Sequence, residues 1–446
     1  MHYHPLTGED RRDMLAAIGS GRFEDLLKGI PPSLRSRAIS VPEAESEHEL
    51  RRDLTRLGRL NQHSGSVLSF LGGGSYEHFI PAALPQLMAR NEFYTAYTPY
   101  QPEASQGTLQ AIFEYQSLIA ELTGMSVSNA SHYDGATSLA EAGLVALRHT
   151  GRRKLLVARS VHPHYREVLR TYVVAADFTV EEFGFEKDGR FRTEELGRLL
   201  NDEVAGVIFQ TPNFLGVIED LDGISDKVHG KGGLFILVSN PLSLGVLRPP
   251  GEWGADLAVG EGQVLGLPMS FGGPALGYFA ATRELVRKIP GRLAGMTIDR
   301  EGRRAFVLTL QAREQHIRRE KASSNICTNE GLCALGAAIY LTLLGKEGIR
   351  EVGELNLDRA RYLREALGKL KGFEVGKQAP IFNEFVVKAA QPFERIQSKL
   401  EPEGILPGVD LAPFYPEMKN AFLVCATETK GQDDLDRFVK ALSDAH

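Results

Sequence analysis

Between residues 130 and 290, short apolar runs alternate with stretches of helical periodicity. Lys154 to Ala158, Val204 to Gln210, Gly233 to Val238, Asp256 to Val259 and Leu276 to Ala280 are rich in β-branched, aromatic and aliphatic residues. Several are near-continuously apolar, the pattern of strands covered on both faces. Strands alternating with helices predict a doubly wound, mostly parallel α/β sheet with right-handed crossovers. Ahead of it, Leu109, Ile112, Phe113, Gln116 and Ile119 recur on one face of a helix from about 105 to 122, with Ser105 as N-cap and Gly124 as stop. Leu50, Leu54, Leu57 and Leu60 recur at helical spacing among arginines, predicting an amphipathic helix laid on another surface. Gly72-Gly73-Gly74-Ser75 breaks that pattern and predicts a loop over 71–82. After 330, Gly331 to Leu344 reads as a long helix. Gly372 to Val375, Glu384 to Val387 and Phe422 to Cys425 read as strands, and Gln432 to Leu442 as a closing amphipathic helix. The expected organisation is a helical N-terminal arm (1–90), a large α/β domain (91–330), and a connecting helix with a small C-terminal α+β domain (331–446).

Composition narrows the class. A chain of 446 residues exceeds one compact core, and 43% hydrophobic with 24% charged residues are ordinary globular values. A net charge of −6 argues against nucleic acid or an anionic membrane as the main partner. The reading finds no apolar run long enough to span a bilayer, and the polar start Met1-His2-Tyr3-His4 is unlike a signal peptide. Cys327, Cys333 and Cys425 form neither a disulfide framework nor a CxxC site and are expected as buried thiols. The expectation is a soluble cytoplasmic protein.

The chemistry turns on what one region lacks. The strand ending at Val238 runs into Ser239-Asn240-Pro241, and no lysine stands between Lys231 and Lys288. An enzyme holding pyridoxal phosphate (PLP) needs an amine for the cofactor's aldehyde and usually an acid for its pyridine nitrogen. The acid belongs near the end of this strand and the lysine some twenty to thirty residues later, where the chain reads Gly260-Glu261-Gly262-Gln263-Val264-Leu265-Gly266. The pattern is that of a PLP-enzyme fold without its own covalent cofactor.

Four segments carry functional groups. Tyr94 to Glu103 holds Tyr94, Tyr97 and Tyr100 with Pro99 and Pro102, which suits either a rigid polar contact loop or plain packing. Asn129 to Thr137 opens a helix whose N-terminus, with Ser131 and Thr137, is a ready anion site. Asp134 competes for the same N–H groups, and Ser131 or Asp134 capping the helix is the simpler reading. Val161-His162-Pro163-His164 offers an imidazole that could stack on a ring or serve as a hydrogen-bonded structural histidine; no metal set is visible. Gln311 to Thr328 gathers Arg313, His316, Arg318, Arg319 and Lys321 among glutamates. It reads as a solvated helix face or as a cluster that orders a subunit interface and receives a carboxylate or phosphate.

The words Tyr97-Thr98-Pro99-Tyr100-Gln101-Pro102-Glu103-Ala104-Ser105-Gln106-Gly107, Gln311 to Thr328, Leu247 to Gly254 and Pro268 to Pro274 closely resemble the P-protein of the glycine cleavage system, a PLP-dependent glycine decarboxylase. The likeness runs from about residue 60 to the C-terminus. It matches the N-terminal half of the single-chain form, which in many bacteria is a separate subunit 1 or alpha subunit. The resemblance implies a type I, aminotransferase-like fold and a missing Schiff-base lysine, since in that family only the C-terminal half carries it. It implies an oxidoreductase subunit that is inactive alone and pairs as α2β2 with a PLP-bearing subunit 2. The pair would act on glycine and pass an aminomethyl group to the lipoyl arm of the H-protein. Tyr97, Thr98, Tyr100 and Gln101, and secondarily Arg313 and His316, are the candidates for the partner's pocket. The alternatives are a purely structural or docking subunit, or an autonomous PLP enzyme using a displaced lysine such as Lys321.

Overall fold

A computed structural model describes residues 5–35, 40–94, 96–376 and 379–445, so the polar start at 1–4, which bears on the signal-peptide expectation, lies outside the described residues. The chain divides after Gln62 into two units. In the first, helix α1 (Gly8–Ala17) and helix α2 (Glu47–Gly58) both begin on capping boxes, Thr7 with Asp10 and Ser46 with Glu49. None of its described residues is buried. The predicted stripe of Leu50, Leu54, Leu57 and Leu60 is exposed.

The second unit, 63–446, is built on a seven-stranded sheet. Its strands are β1 (Val127–Ser128), β2 (Lys154–Ala158), β3 (Thr179–Phe183), β4 (Val204–Gln210), β5 (Leu234–Val238), β6 (Leu257–Glu261) and β7 (Gly277–Ala281). The spatial order is β1-β7-β6-β5-β4-β2-β3. The run from β6 to β3 is parallel, and β7 is antiparallel to both β6 and β1. Both faces are covered, so Leu156, Val207, Ile208, Phe235 and Leu237 are all fully buried. Helix α3 (Gln106–Thr123) ends at Gly124, whose φ of 66° is the left-handed C-cap that glycine adopts without strain. Helices α4 (Gly135–Thr150) and α5 (Pro163–Val174) follow β1 and β2.

A hairpin, β8 (Leu293–Ile298) with β9 (Arg304–Thr309), leads to the cationic stretch. That stretch breaks into single turns at 311–313, 315–318 and 319–321, with Leu310 and Arg319 at positive φ, and is not a continuous helix face. Helix α6 (Gly331–Leu367) then connects to a small sheet of order β10-β11-β13-β12: β10 (Phe373–Val375), β11 (Glu384–Ala389), β12 (Val409–Asp410) and β13 (Ala421–Cys425). Phe70 stacks on Phe438 of helix α7 (Gln432–Ala445) in this domain's core, their ring centroids 3.8 Å apart.

Two expectations need correction. Helix α6 is long and apolar enough by composition to cross a membrane, contrary to the reading of the sequence. It is a core helix instead: Gly345 breaks it with φ 60°, and Cys333, Ala337, Tyr340 and Leu341 are buried against the large domain. Cys327 is exposed, because it lies in the irregular segment before α6; only Cys333 and Cys425 are buried thiols.

Candidate functional site

In a type I fold the cofactor's phosphate would sit at the N-terminus of α4. Here the protein's own carboxylates occupy that end. Asp134 caps the helix, its Oδ1 accepting from the Thr137 N–H at 2.7 Å and from the Thr137 hydroxyl at 2.6 Å. Glu261, at the end of β6, accepts from the Gly135 N–H at 3.0 Å with Oε2. Its Oε1 accepts from the N–H groups of Gln263 and Leu276, each at 2.9 Å. Burial pushes this carboxyl up to about 7 against the three backbone bonds that favour its ionised form. Ser131 is turned elsewhere, at φ 121°, and accepts from the Glu330 N–H at 3.2 Å. Ser131 and Thr137 therefore do not converge on one free anion cradle.

The space beside that helix end is also filled. The Tyr165 ring stacks on His162 with centroids 4.6 Å apart. Its hydroxyl lies so close to Gly135 that a Cβ there would be 2.2 Å from it. His162 is a structural histidine: Nε2–H donates to the Gly73 carbonyl at 2.7 Å and Nδ1 accepts from the His164 N–H at 3.2 Å. Those two roles define a neutral ring, and burial pulls its pKa down to about 4. The glycine loop is pinned from the other side by Glu384, which accepts from Gly73 N–H at 2.6 Å and from the Tyr76 hydroxyl at 2.7 Å. Burial pushes Glu384 up to about 7. Gln263 completes the clamp by pairing with both the N–H and the carbonyl of Tyr76, each at 3.0 Å. The segment that would hold a Schiff-base lysine thus holds a glycine loop instead. At the position expected for the pyridine's acid, Asn240 caps its own turn by accepting from Leu242 N–H. These residues do not fit PLP.

A second set of groups lies at the surface. Tyr97 is 79% and Tyr100 62% exposed, with Gln101 exposed beside them, while Pro99 is buried and anchors the loop. Gln106 fastens the loop's exit to the hairpin, donating to the carbonyls of Pro102 and Phe306 and accepting from Phe306 N–H, all at 2.8 Å. Thr98 meets Thr328, their hydroxyl oxygens 3.4 Å apart, and Thr328 accepts from Arg292 at 3.2 Å. The Arg292 guanidinium carbon lies 5.5 Å from the Tyr100 ring centroid. Arg313 turns inward and donates to the carbonyls of Ile289 and Gly291. His316 stays exposed, 3.7 Å from Glu314. The tyrosine loop and the cationic stretch, more than two hundred residues apart, are therefore joined through residues 289–292.

Sequence reasoning missed Arg292, Glu261, Tyr165 and Glu384. Glu261 alone left a trace, as a lone acid among glycines at the end of an apolar strand. Nothing in the local sequence separates Arg292 from other arginines. A separate cleft of about 1100 Å³ is lined by Phe185, Leu215, Ile381, Phe385, Lys388 and their neighbours, and contains none of the candidate residues. Among the described residues no group of three His, Cys, Asp or Glu side chains comes together as metal ligands.

Comparison with known proteins gives one consistent answer. The family model described as "Glycine cleavage system P-protein" matches residues 1–442. A relative from Geobacillus thermodenitrificans named "Probable glycine dehydrogenase (decarboxylating) subunit 1" is 50% identical over 445 residues, covering 100% of this chain and 99% of its own. Its namesake from Moorella thermoacetica is 51% identical over 443 residues, covering 99% of each chain. A crystal structure of glycine decarboxylase (P-protein) of the glycine cleavage system, in inhibitor-bound form, superposes with a TM-score of 0.91 at 46% identity over 100% of both chains. A NifS-like protein from Rickettsia africae, at 13% identity and TM-score 0.64 over 85% of this chain and 99% of its own, shares the fold.

Proposed function

The chain belongs to the glycine cleavage system P-protein family, and we propose that it serves there as the subunit without a cofactor of its own. In this reading it is an oxidoreductase subunit of glycine dehydrogenase (decarboxylating), inactive alone. It pairs in the bacterial cytoplasm with a lysine-bearing homologue as an α2β2 heterotetramer. PLP on the partner supplies the electron sink for glycine decarboxylation, and the aminomethyl group passes to the lipoyl arm of the H-protein. The observation that carries the reading is the Glu261 carboxylate seated on the α4 N-terminus, where a cofactor phosphate would otherwise bind.

This chain's contribution is positional. Type I sites form at subunit interfaces, so an exposed loop held by Pro99 and Gln106 is suited to finishing a neighbour's pocket. Tyr97, Thr98, Tyr100 and Gln101 would shape a small polar pocket and limit access by water. Arg313 acts as a brace, since its guanidinium is spent on the carbonyls of Ile289 and Gly291. His316 is exposed, with Glu314 3.7 Å away, and would be open to a partner. The test is reconstitution: each subunit alone should show no glycine–bicarbonate exchange with lipoyl H-protein, and the mixed pair should show it. Exchange by the partner alone at the rate of the pair would reduce this chain to a docking subunit.

A further inference from the structure

Arg292 is only 5% exposed, yet among the described residues its guanidinium meets a hydroxyl and a ring and no carboxylate. Among the described residues its guanidinium makes one hydrogen bond, to the Thr328 hydroxyl, and one face lies near the Tyr100 ring. A buried guanidinium normally keeps a carboxylate or several acceptors, because removing an unpaired charge from water is costly. The second arginine here, Arg313, is also without a carboxylate ion pair, but both its terminal nitrogens donate to carbonyls. Glu330 stands two residues after Thr328, and burial pushes its carboxyl upward. Arg292 is thus linked through Thr328 to the Thr98 hydroxyl, 3.4 Å further on, and lies against the ring of the exposed Tyr100.

We propose that Arg292, with Thr98, Thr328 and Tyr100, forms a carboxylate-binding site completed only when the partner subunit covers the tyrosine loop. The fork of the guanidinium matches a carboxylate in two parallel bonds, Thr328 fixes its plane, and the Tyr100 ring disfavours rotation away from it. The carboxylate comes either from the amino-acid substrate or from a side chain of the partner. The proposal rests on the subunit reading above and adds to it the group that is recognised.

The test uses the coexpressed, PLP-loaded complex with Arg292→Lys and Arg292→Gln in this chain. Three quantities are measured: KM for glycine and kcat in the exchange assay, inhibition by acetate, and the dissociation constant of the assembly. If the ligand is the substrate, Arg292→Gln raises KM for glycine at least tenfold, with assembly unchanged. Acetate then competes with glycine in the wild type and not in the variant. If the ligand is a partner carboxylate, the assembly loosens at least tenfold while KM per intact complex stays constant. Should the Gln variant not accumulate, the Lys variant and acetate acting on the wild-type complex decide the matter. Values within twofold of wild type for the variants, with acetate neither competing with glycine nor loosening the complex, overturn the proposal. An inactive wild-type pair would instead sink the subunit reading and this site with it.

Discussion

Replacing Glu261 with alanine should both weaken the fold and create an anion site. In the wild type the carboxylate accepts three backbone N–H bonds, from Gly135, Gln263 and Leu276, in a buried position at a helix N-terminus. A hydrogen bond to a charged group contributes about 1.5–3 kcal/mol, and part of that sum is offset by the cost of burying the carboxylate. A net loss of about 3 kcal/mol is the working value. For a unit of this size it lowers Tm by about 4 °C. The vacated cradle keeps its three donors and the positive end of α4, so a small carboxylate should refill it. Acetate at ten times its Kd would restore about 1.4 kcal/mol, or about 2 °C. The assay is thermal unfolding of the complex with and without acetate, at constant ionic strength with chloride as the control. The reasoning fails if the variant melts within 1 °C of wild type, or if acetate shifts the two proteins equally.

Tyr97→Phe and Tyr100→Phe remove one hydroxyl each and little volume, so a lost hydrogen bond at the partner's site should lower exchange per bound PLP by roughly tenfold to a hundredfold with assembly retained; unchanged exchange in both variants would leave the loop as packing. Gly74→Ala should destabilise the large unit by several kcal/mol, since φ is 106° and the new Cβ would lie 2.7 Å from His162 Nε2, a change read by Tm and limited proteolysis. His162 is held neutral at about 4 against an ordinary 6.5, so the unfolded chain takes up its proton first. Its contribution is complete above pH 6.5 and is lost as pH falls towards 4; His162→Gln should therefore lose about 2 kcal/mol less stability than wild type between pH 7 and pH 5, and an equal loss in both would be contrary evidence.

Much of the fold was legible because it rests on local patterns. The runs Lys154 to Ala158 and Val204 to Gln210 coincide with β2 and β4, where continuous apolar residues can only be covered on both faces. The strand expected from Asp256 begins at Leu257, and the Asp256 carboxylate accepts from the Phe235 N–H and meets His229. The cationic stretch misled for a related reason. Its charges look like a solvated helix face, but Arg313 is drawn inward by two carbonyls of a segment more than twenty residues earlier. The absence of a lysine and an acid was plain in the sequence. What fills their place was not, since Glu261 meets Gly135 across 126 residues and Glu384 meets Gly73 across 311. Long-range pairings of single polar side chains leave no periodicity to read.

The most direct test of the central claim is borohydride reduction of the active heterotetramer followed by peptide mapping. The account predicts one stoichiometric pyridoxyl-lysine on the partner subunit and none on this chain, including Lys231, Lys288 and Lys321. A stoichiometric pyridoxyl-lysine on this chain would contradict it.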